Sequence, residues 1–470
     1  MKYTPNEIRN ASEEFADLLF LPHNLPGFLN NVTSLERTIS GREVYCFQGD
    51  LWYSEEEIVC EDCCVPMHSH DTYQVTLRHI PIGGSLSCLC FKKRRFQCPC
   101  CGKLKMQEIP FKAPGHQIST ALLTYAEELL EHGYTNKEVG ELTGLGKNVV
   151  KQIDLARLKR KYTEGGAGEK LLKPEKQARF LGIDEFKLHD GYRFATHIID
   201  LENGHILWIA HGKKKQVVYD FIKHVGLEWM EGVEAVACDM NSDFEEAFEE
   251  LCPHIQPVFD HFHIMKNFND KVESAIRKDE QKRLIASGDE EAAKSLKRSR
   301  YILTSRRESL RQKDEKAIRG EAGRARNGTL FQKPERKLTP GYEARYDEIL
   351  KLNKIFFTAD IVKEKLSAAY KLTDEIKMAE EITEIIEMCE ASGNEHLQWF
   401  GRLLLNHFEG IVAHAAYQIS SGKIEGINNK IKTLRRKGYG YPDDDYFFLK
   451  LFDASRQGYV RNPKSHKKSD

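Results

Sequence analysis

Three short acidic islands carry the side chains best suited to chemistry: Leu181-Gly-Ile-Asp184-Glu, Val236-Ala-Cys-Asp239-Met and Ser421-Gly-Lys-Ile-Glu425-Gly. The first two close apolar runs that read as strands, and the third opens a basic helix bearing asparagines. Carboxylates at strand ends plus one from a distant helix are what a two-magnesium phosphoryl-transfer site needs. Mg²⁺ takes octahedral oxygen ligands but keeps several waters, so a few carboxylates suffice. Two such ions about 3.5–4 Å apart clamp the attacking and leaving oxygens of a phosphodiester. Asp184, Asp239 and Glu425 are therefore the candidate metal ligands. Asp260 ends a further strand and is a fourth candidate, as a direct ligand or as a supporting group. His263, three residues on, has the chemistry to bond a phosphate oxygen or to orient a carboxylate. Glu185 and Asp190 read as solvated acids.

The helix after Ser421 puts Glu425, Asn428 or Asn429, Lys432 and Arg436 on one face by the i, i+3/i+4, i+7 rule. A carboxylate for metal, amides for hydrogen bonds and cations for phosphates then share that face. Asn428, Asn429, Lys432, Arg435 and Arg436 are candidate DNA contacts.

The elements that must position the acids follow from the apolar pattern. Arg179–Asp184, Tyr192–Asp200 and His205–Ala210 read as three antiparallel strands, the last two joined at Asn203-Gly204, a strong hairpin signal. A helix over Lys214–Val225, a strand over Val233–Cys238, a helix over Ser242–Leu251 and a strand over Ile255–Phe259 follow. Three antiparallel strands and then two joined by helices is the order of the RNase H-like fold. From 270 to about 405 the pattern is helical and rich in Lys, Arg and Glu, most simply an insertion before the last helix. Its basic runs, Lys297-Arg-Ser-Arg300 and Arg306-Arg307, read as solvated helix faces ahead of DNA contacts.

Upstream, eight of the twelve cysteines lie between Cys60 and Cys101. Cys60-Glu-Asp-Cys63 and Cys98-Pro-Cys-Cys101-Gly are two C-x-x-C pairs, the spacing that wraps tetrahedral zinc. Cys64 and Cys100 leave the register open by one residue, and His68 and His70 are alternative ligands. The flanking strands read as short: Glu43–Phe47, Tyr73–Leu77 and Ser87–Phe91. Residues 117–162 read as three helices with a capping box at Thr135-Asn-Lys-Glu138 and a tight turn at Gly144-Leu-Gly146. This is the helix-turn-helix pattern, whose second helix enters the major groove with Lys147, Asn148 and Lys151 near its base-facing end.

Composition sets limits. The chain has 470 residues, too many for one compact core. Its net charge of −1 predicts no nucleic-acid partner by itself, so the local basic stretches carry that argument. No apolar run resembles a signal peptide or a membrane span, which points to a soluble protein of the cytoplasm.

Taken together these motifs resemble the ISL-three family of bacterial insertion-sequence transposases. The resemblance rests on the cysteine pairs, the helix-turn-helix, Gly182-Ile-Asp184-Glu, Asp239-Met, Phe259-Asp260-His-Phe-His263-Ile-Met-Lys266 and Ser421-Gly-Lys-Ile-Glu425-Gly-Ile-Asn-Asn-Lys430. It implies a DDE catalytic core that binds the terminal inverted repeats of its element. It also implies cleavage at the ends and joining to target DNA with Mg²⁺ or Mn²⁺, by a homo-oligomer on DNA. By motif, Asp184 matches the first acid and Glu425 the last. Strand order favours Asp239 as the middle acid, with Asp260 to His263 as a D-x-x-H element; a looser alignment names Asp260. The first cysteine pair, Cys-Glu-Asp-Cys-Cys, departs from the family's usual Cys-Pro-x-Cys-Gly.

The expected organisation is a mixed α/β protein. It comprises a lead-in (1–41), a zinc-ribbon-like domain (42–112), a helix-turn-helix (113–162) and a linker (163–177). The RNase H-like core (178–269), a helical insertion (270–410), the core's last helix (411–455) and a polar tail (456–470) complete it. Two other functions fit the same residues: a DNA-binding regulator whose core is only a scaffold, and a metal-dependent nuclease without strand transfer.

Overall fold

The computed structural model describes residues 25–37, 41–53, 58–166, 168, 170–190, 193–240, 242–297, 299–320, 322–323, 336–337, 339–420, 422–438 and 441–457. The chain forms two compact units, residues 1–172 with 432–470, and residues 173–431. The architecture is mixed α/β, with two mixed five-stranded sheets.

In the first unit the sheet order is β1-β2-β4-β3, with β5 paired to β4. The strands are β1 (Phe28–Arg37), β2 (Glu43–Leu51), β3 (His68–Ile82), β4 (Ser85–Gln97) and β5 (Leu104–Met106). β1 occupies part of the stretch 1–41 that reads in sequence as a lead-in; residues 1–24 of it lie outside the described residues. β3 and β4 are far longer than expected because their outer halves are polar. His68 pairs with Gln97 in register and Asp71 with Arg95, where a charge pair replaces apolar alternation.

Three helices follow on this sheet: α1 (Thr120–Glu131), α2 (Asn136–Thr143) and α3 (Lys147–Tyr162). Ser119 caps α1 by accepting from Leu122 N, and the expected capping box on Thr135 and Glu138 is present at α2. Gly144 ends α2 in the left-handed region at φ 72°. A Cβ there would meet Arg78 and Leu86 of the sheet at 2.7–2.9 Å, so glycine is required both by conformation and by space.

The second unit is built on the sheet β10-β9-β6-β7-β8. Its strands are β6 (Phe180–His189), β7 (Arg193–Asp200), β8 (Ile206–His211), β9 (Ala235–Cys238) and β10 (Gln256–Phe259). β6, β7 and β8 pair antiparallel, while β9 runs parallel to both β6 and β10. Helices α4 (Lys215–Val225), α5 (Ser242–Leu251) and α6 (His261–Asn267) connect or follow the strands. Leu181, Ile183, Val218, Phe221, Phe244 and Ala247 bury together between the sheet and α4 and α5. Beyond α6 comes the helical block, whose buried residues extend the same core. At its centre Lys363, 1% exposed, bonds Glu273 at 2.9 Å and Tyr346 at 2.9 Å. Arg300 and Arg307, basic in sequence, pair with Asp270 and with Asp347 and Asp360. They are structural ion pairs of the block.

Helix α7 (Gly422–Lys437) carries the chain back to the first unit, and α8 (Asp444–Arg456) belongs there. Asp443 caps α8, accepting from Tyr446 N. α8 packs on α3 through a buried charge network: Arg157 lies 2.9 Å from Asp154 and 2.7 Å from Asp453. Lys450 and the Tyr446 hydroxyl complete Asp154, and Tyr162 completes Asp453. Each buried carboxylate thus has a cation and a phenol, as buried ions require.

Candidate active site

Asp184 sits in the middle of β6, not at its end. The parallel pairing with β9 stops at Gly182, whereas the antiparallel pairing with β7 continues through Lys187. Asp184 therefore stands just past the edge of β9, and Asp239 follows Cys238 at the end of β9 itself. Both carboxylates are fixed locally by accepting from the next residue's backbone N–H: Glu185 N to Asp184 at 2.7 Å and Met240 N to Asp239 at 2.7 Å.

Helix α7 meets this strand over a glycine. A Cβ on Gly182 would stand 2.8 Å from Ile424 Cδ1 and Cγ1, so only glycine lets the helix lie so close. One turn further on, Asn428 Nδ2 donates to Asp184 Oδ2 at 2.6 Å. Glu425 lies between these contacts in sequence and is exposed. The chain alternates within β6, so Gly182 and Asp184 share the face toward α7 while Ile183 and Glu185 share the other.

His263 Nδ1 stands 3.5 Å from Asp239 Oδ1, longer than a hydrogen bond but close enough to orient the carboxylate. Asp260 has different company. Its charge acts on His261, Tyr370 and His414, whose rings meet in turn edge-on and tilted, at centroid distances of 5.0 and 4.8 Å. Burial pushes His261 down to about 4, with Arg306 adding to the shift.

Glu185 departs from the solvated reading. It is half-buried, and its Oε2 is buried without a hydrogen-bond partner among the described residues. Burial raises its carboxyl, Lys213 opposes this, and the charges of Asp184 and Asp239 raise it further. Asp190 is exposed and pairs with Lys187, as a solvated acid does. Asp184, Asp239 and Glu425 offer only oxygen donors, the set a hard divalent cation takes. The donor atoms of Asp184, Asp239 and Glu425 do not all fall within 4.8 Å of one another; among the described residues two other groups do. One is an exposed surface cluster of Asp279, Glu395 and His396.

The other is Cys60, Cys63, Cys98 and Cys101. Cys60 Sγ and Cys101 Sγ are 3.7 Å apart. Tetrahedral zinc with Zn–S near 2.3 Å has S···S edges of about 3.8 Å. The two knuckles repeat one backbone pattern. Cys60 N bonds Val65 O and Cys64 N bonds Cys60 O, just as Cys98 N bonds Lys103 O and Gly102 N bonds Cys98 O. Cys64, at φ 54°, thus occupies the place of Gly102, at φ 72°. Backbone N–H groups of Cys101 and Cys100 aimed at Cys98 lower its thiol to about 7, toward the thiolate that a metal binds. His68 and His70 are exposed and outside the group.

Of the candidate groove-facing residues, Lys147 and Asn148 are exposed, but Lys151 bonds Asp443 at 2.8 Å. Asn429, Lys432 and Arg436 are exposed on α7, and Arg435 is half-buried.

The family model described as a transposase, of the ISL-three DDE type, matches residues 181–451, more than half of the chain. The chain belongs to the ISL-three family of transposases. It is similar to the transposase of insertion sequence IS1001 from Bordetella parapertussis, 26% identical over 396 residues that cover 84% of this chain and 88% of that protein. It is also similar to the IS1557 transposase of Mycobacterium tuberculosis, 23% identical over 56% of this chain and 57% of the relative. A Drosophila P element transposase strand transfer complex aligns over 73% of this chain and 94% of its own, at TM-score 0.34 and 11% identity, too low to argue from. This transposase is thus an enzyme acting on DNA, of a family that uses divalent metal. Among its described residues no helix is long and apolar enough to cross a membrane.

Sequence reasoning missed Gly182, Glu185 and α8. An isolated glycine in a strand is a signal of close approach, and Asp443 before Tyr446-Phe-Phe-Leu is a cap before an apolar helix.

Proposed function

We propose that this transposase cuts and joins DNA with a DDE acid set, Asp184, Asp239 and Glu425, on an RNase H-like core. The observation that carries the reading is the 2.6 Å bond from Asn428 to Asp184, which ties the helix of Glu425 to the strand of Asp184. Asp184, Asp239 and Glu425 would hold Mg²⁺ or Mn²⁺, which when bound activates the attacking hydroxyl or water and stabilises the departing oxygen. Asn428 holds one Asp184 oxygen, leaving the carboxylate a fixed orientation. The ring of His263 stands 3.5 Å from Asp239, which supports Asp239 as the middle acid and Asp260 as a supporting group. Cys60, Cys63, Cys98 and Cys101 would hold Zn²⁺ and fix the sheet below the three helices. Those helices act as a helix-turn-helix on the terminal inverted repeats, with Lys147 and Asn148 toward the bases. Asn429, Lys432, Arg435 and Arg436 supply phosphate contacts. The enzyme works in the bacterial cytoplasm as a homo-oligomer on DNA, and the block 270–410 is an insertion in the core.

The test is an inverted-repeat duplex incubated with Mg²⁺ and a target plasmid. Asp184→Ala or Glu425→Ala should abolish both cutting and joining while end binding stays intact. Cutting retained by either variant refutes the site, and cutting without joining by the wild type would leave a nuclease.

A further inference from the structure

We infer that Cys46, Cys88 and Cys90 form an oxidation site, in which a hydroperoxide takes Cys90 first and the bridge settles between Cys46 and Cys88. All three are free thiols, and none belongs to the group of Cys60, Cys63, Cys98 and Cys101. β2 and β4 run parallel, with Cys46 and Cys88 partners in register. Their Cα atoms are thus held at the strand spacing of roughly 4.8 Å, inside the span of about 4.4–6.8 Å that a disulfide bridges. The Cys88 thiol donates to Cys46 Sγ at 3.1 Å. A bond of about 2.05 Å asks the two sulfurs to close by roughly 1 Å, a movement within reach of the side chains. Cys90, two residues on, shares the face of Cys88, and its sulfur lies 3.9 Å from that of Cys88. Cys46 and Cys88 are buried and Cys90 is half-buried, so Cys90 is where a small oxidant reaches the group. Its partner in register on β3, Thr76, has a hydroxyl 3.6 Å from Cys90 Sγ, in reach to donate to a thiolate. Burial pushes the Cys46 and Cys88 thiols up, so neither is the entry point. A buried cysteine is ordinarily a small apolar side chain; thiols in contact across two strands, with a third sulfur beside them at the surface, go beyond that.

The Cys90 thiolate attacks the terminal oxygen of the hydroperoxide. The O–O bond breaks, an alcohol or water leaves with the proton, and Cys90 becomes a sulfenic acid. The Cys88 sulfur then attacks the Cys90 sulfur, and its proton departs with the hydroxyl as water. Cys46 attacks Cys88 in turn, its proton passing to Cys90, which leaves as a thiol. Two electrons pass from two thiols to one peroxide, and the product joins residues 42 apart in the chain. In a reducing compartment such a bridge is transient, and thiols reverse it.

For the test, the full-length protein is treated with hydrogen peroxide, trapped with N-ethylmaleimide in denaturant and mapped by mass spectrometry of its peptides. The expected result is a peptide pair joining Cys46 to Cys88 in most molecules, lost on adding dithiothreitol. Cys90→Ser should form that pair roughly tenfold more slowly or worse. Cys46→Ala should stop at a bridge between Cys88 and Cys90. Cys46 and Cys88 both trapped as free thiols while Cys90 is oxidised overturns the inference, as does a Cys46 bridge to any cysteine other than these two. A Cys90→Ser protein that bridges as fast as the wild type overturns it too. The wild-type map needs no substitution, so it decides even where a variant fails to fold.

Discussion

Gly182→Ala tests whether the close seating of α7 on β6 positions the acids proposed to be catalytic. The added Cβ would stand 2.8 Å from Ile424 Cδ1 and Cγ1 and 2.8 Å from Leu201 Cδ2, while ordinary contact begins at 3.4 Å. The helix or its neighbours must yield by the difference, 0.6 Å. Overpacking of this kind costs about 1–3 kcal/mol of stability. The effect on chemistry is larger, because the bond from Asn428 to Asp184 has no slack at 2.6 Å and Glu425 rides on the same turn. A displacement near 1 Å costs about a hundredfold in rate. The assay is single-turnover cutting of an inverted-repeat duplex, with end binding followed by gel shift and folding by thermal melting. The expected result is a loss of roughly ten- to a hundredfold in cutting with near-normal DNA binding. Ile424→Ala added to Gly182→Ala should restore part of the rate by vacating the space. Full cutting by Gly182→Ala, in a protein that melts like wild type, would refute the reasoning.

Two further outcomes follow from the geometry. Cys64→Gly should raise stability by roughly 1 kcal/mol, because it relieves a side chain held in the left-handed region, and leave zinc content unchanged; a loss of zinc by metal analysis would make Cys64 a ligand. Burial holds His197 down at about 4, against an ordinary value near 6.5, with Asp184 opposing. Between those values the unfolded chain takes up a proton that the folded chain does not. Stability is therefore full above about pH 6.5 and falls by up to roughly 3 kcal/mol as the pH drops toward 4. His197→Phe should flatten that part of the urea-unfolding profile, and an unchanged slope would show that the imidazole is not its source.

Much of the second unit was legible because its strands are buried on both faces. Runs such as Leu181-Gly-Ile and Val236-Ala-Cys are apolar throughout and end at their acids or close to them. The cysteine pairs were legible from spacing, and the three-dimensional repeat of the knuckles settles which pairs come together. Polar strands were not legible. The outer halves of β3 and β4 are held by Asp71 and Arg95 and by backbone pairing, which leaves no apolar period to read. Glu185 was misread for a related reason. Whether an acid beside Asp184 faces solvent depends on which face of β6 it takes and on the helices that cover that face, which the local sequence does not show. The bond of Lys151 to Asp443 was not legible, because the two lie nearly three hundred residues apart, at a separation of 292.

That long-range pairing has a consequence for synthesis of the chain. The first unit takes one wall from α8, so Arg157 has no Asp453 and Tyr162 has no acceptor until residues 444–456 have been made. A nascent or prematurely terminated polypeptide ending before Asp443 would hold Asp154 and Arg157 without the remainder of their network. Helices α1 to α3 would lack the surface that α8 supplies, so the fold of this unit waits on a segment nearly three hundred residues downstream.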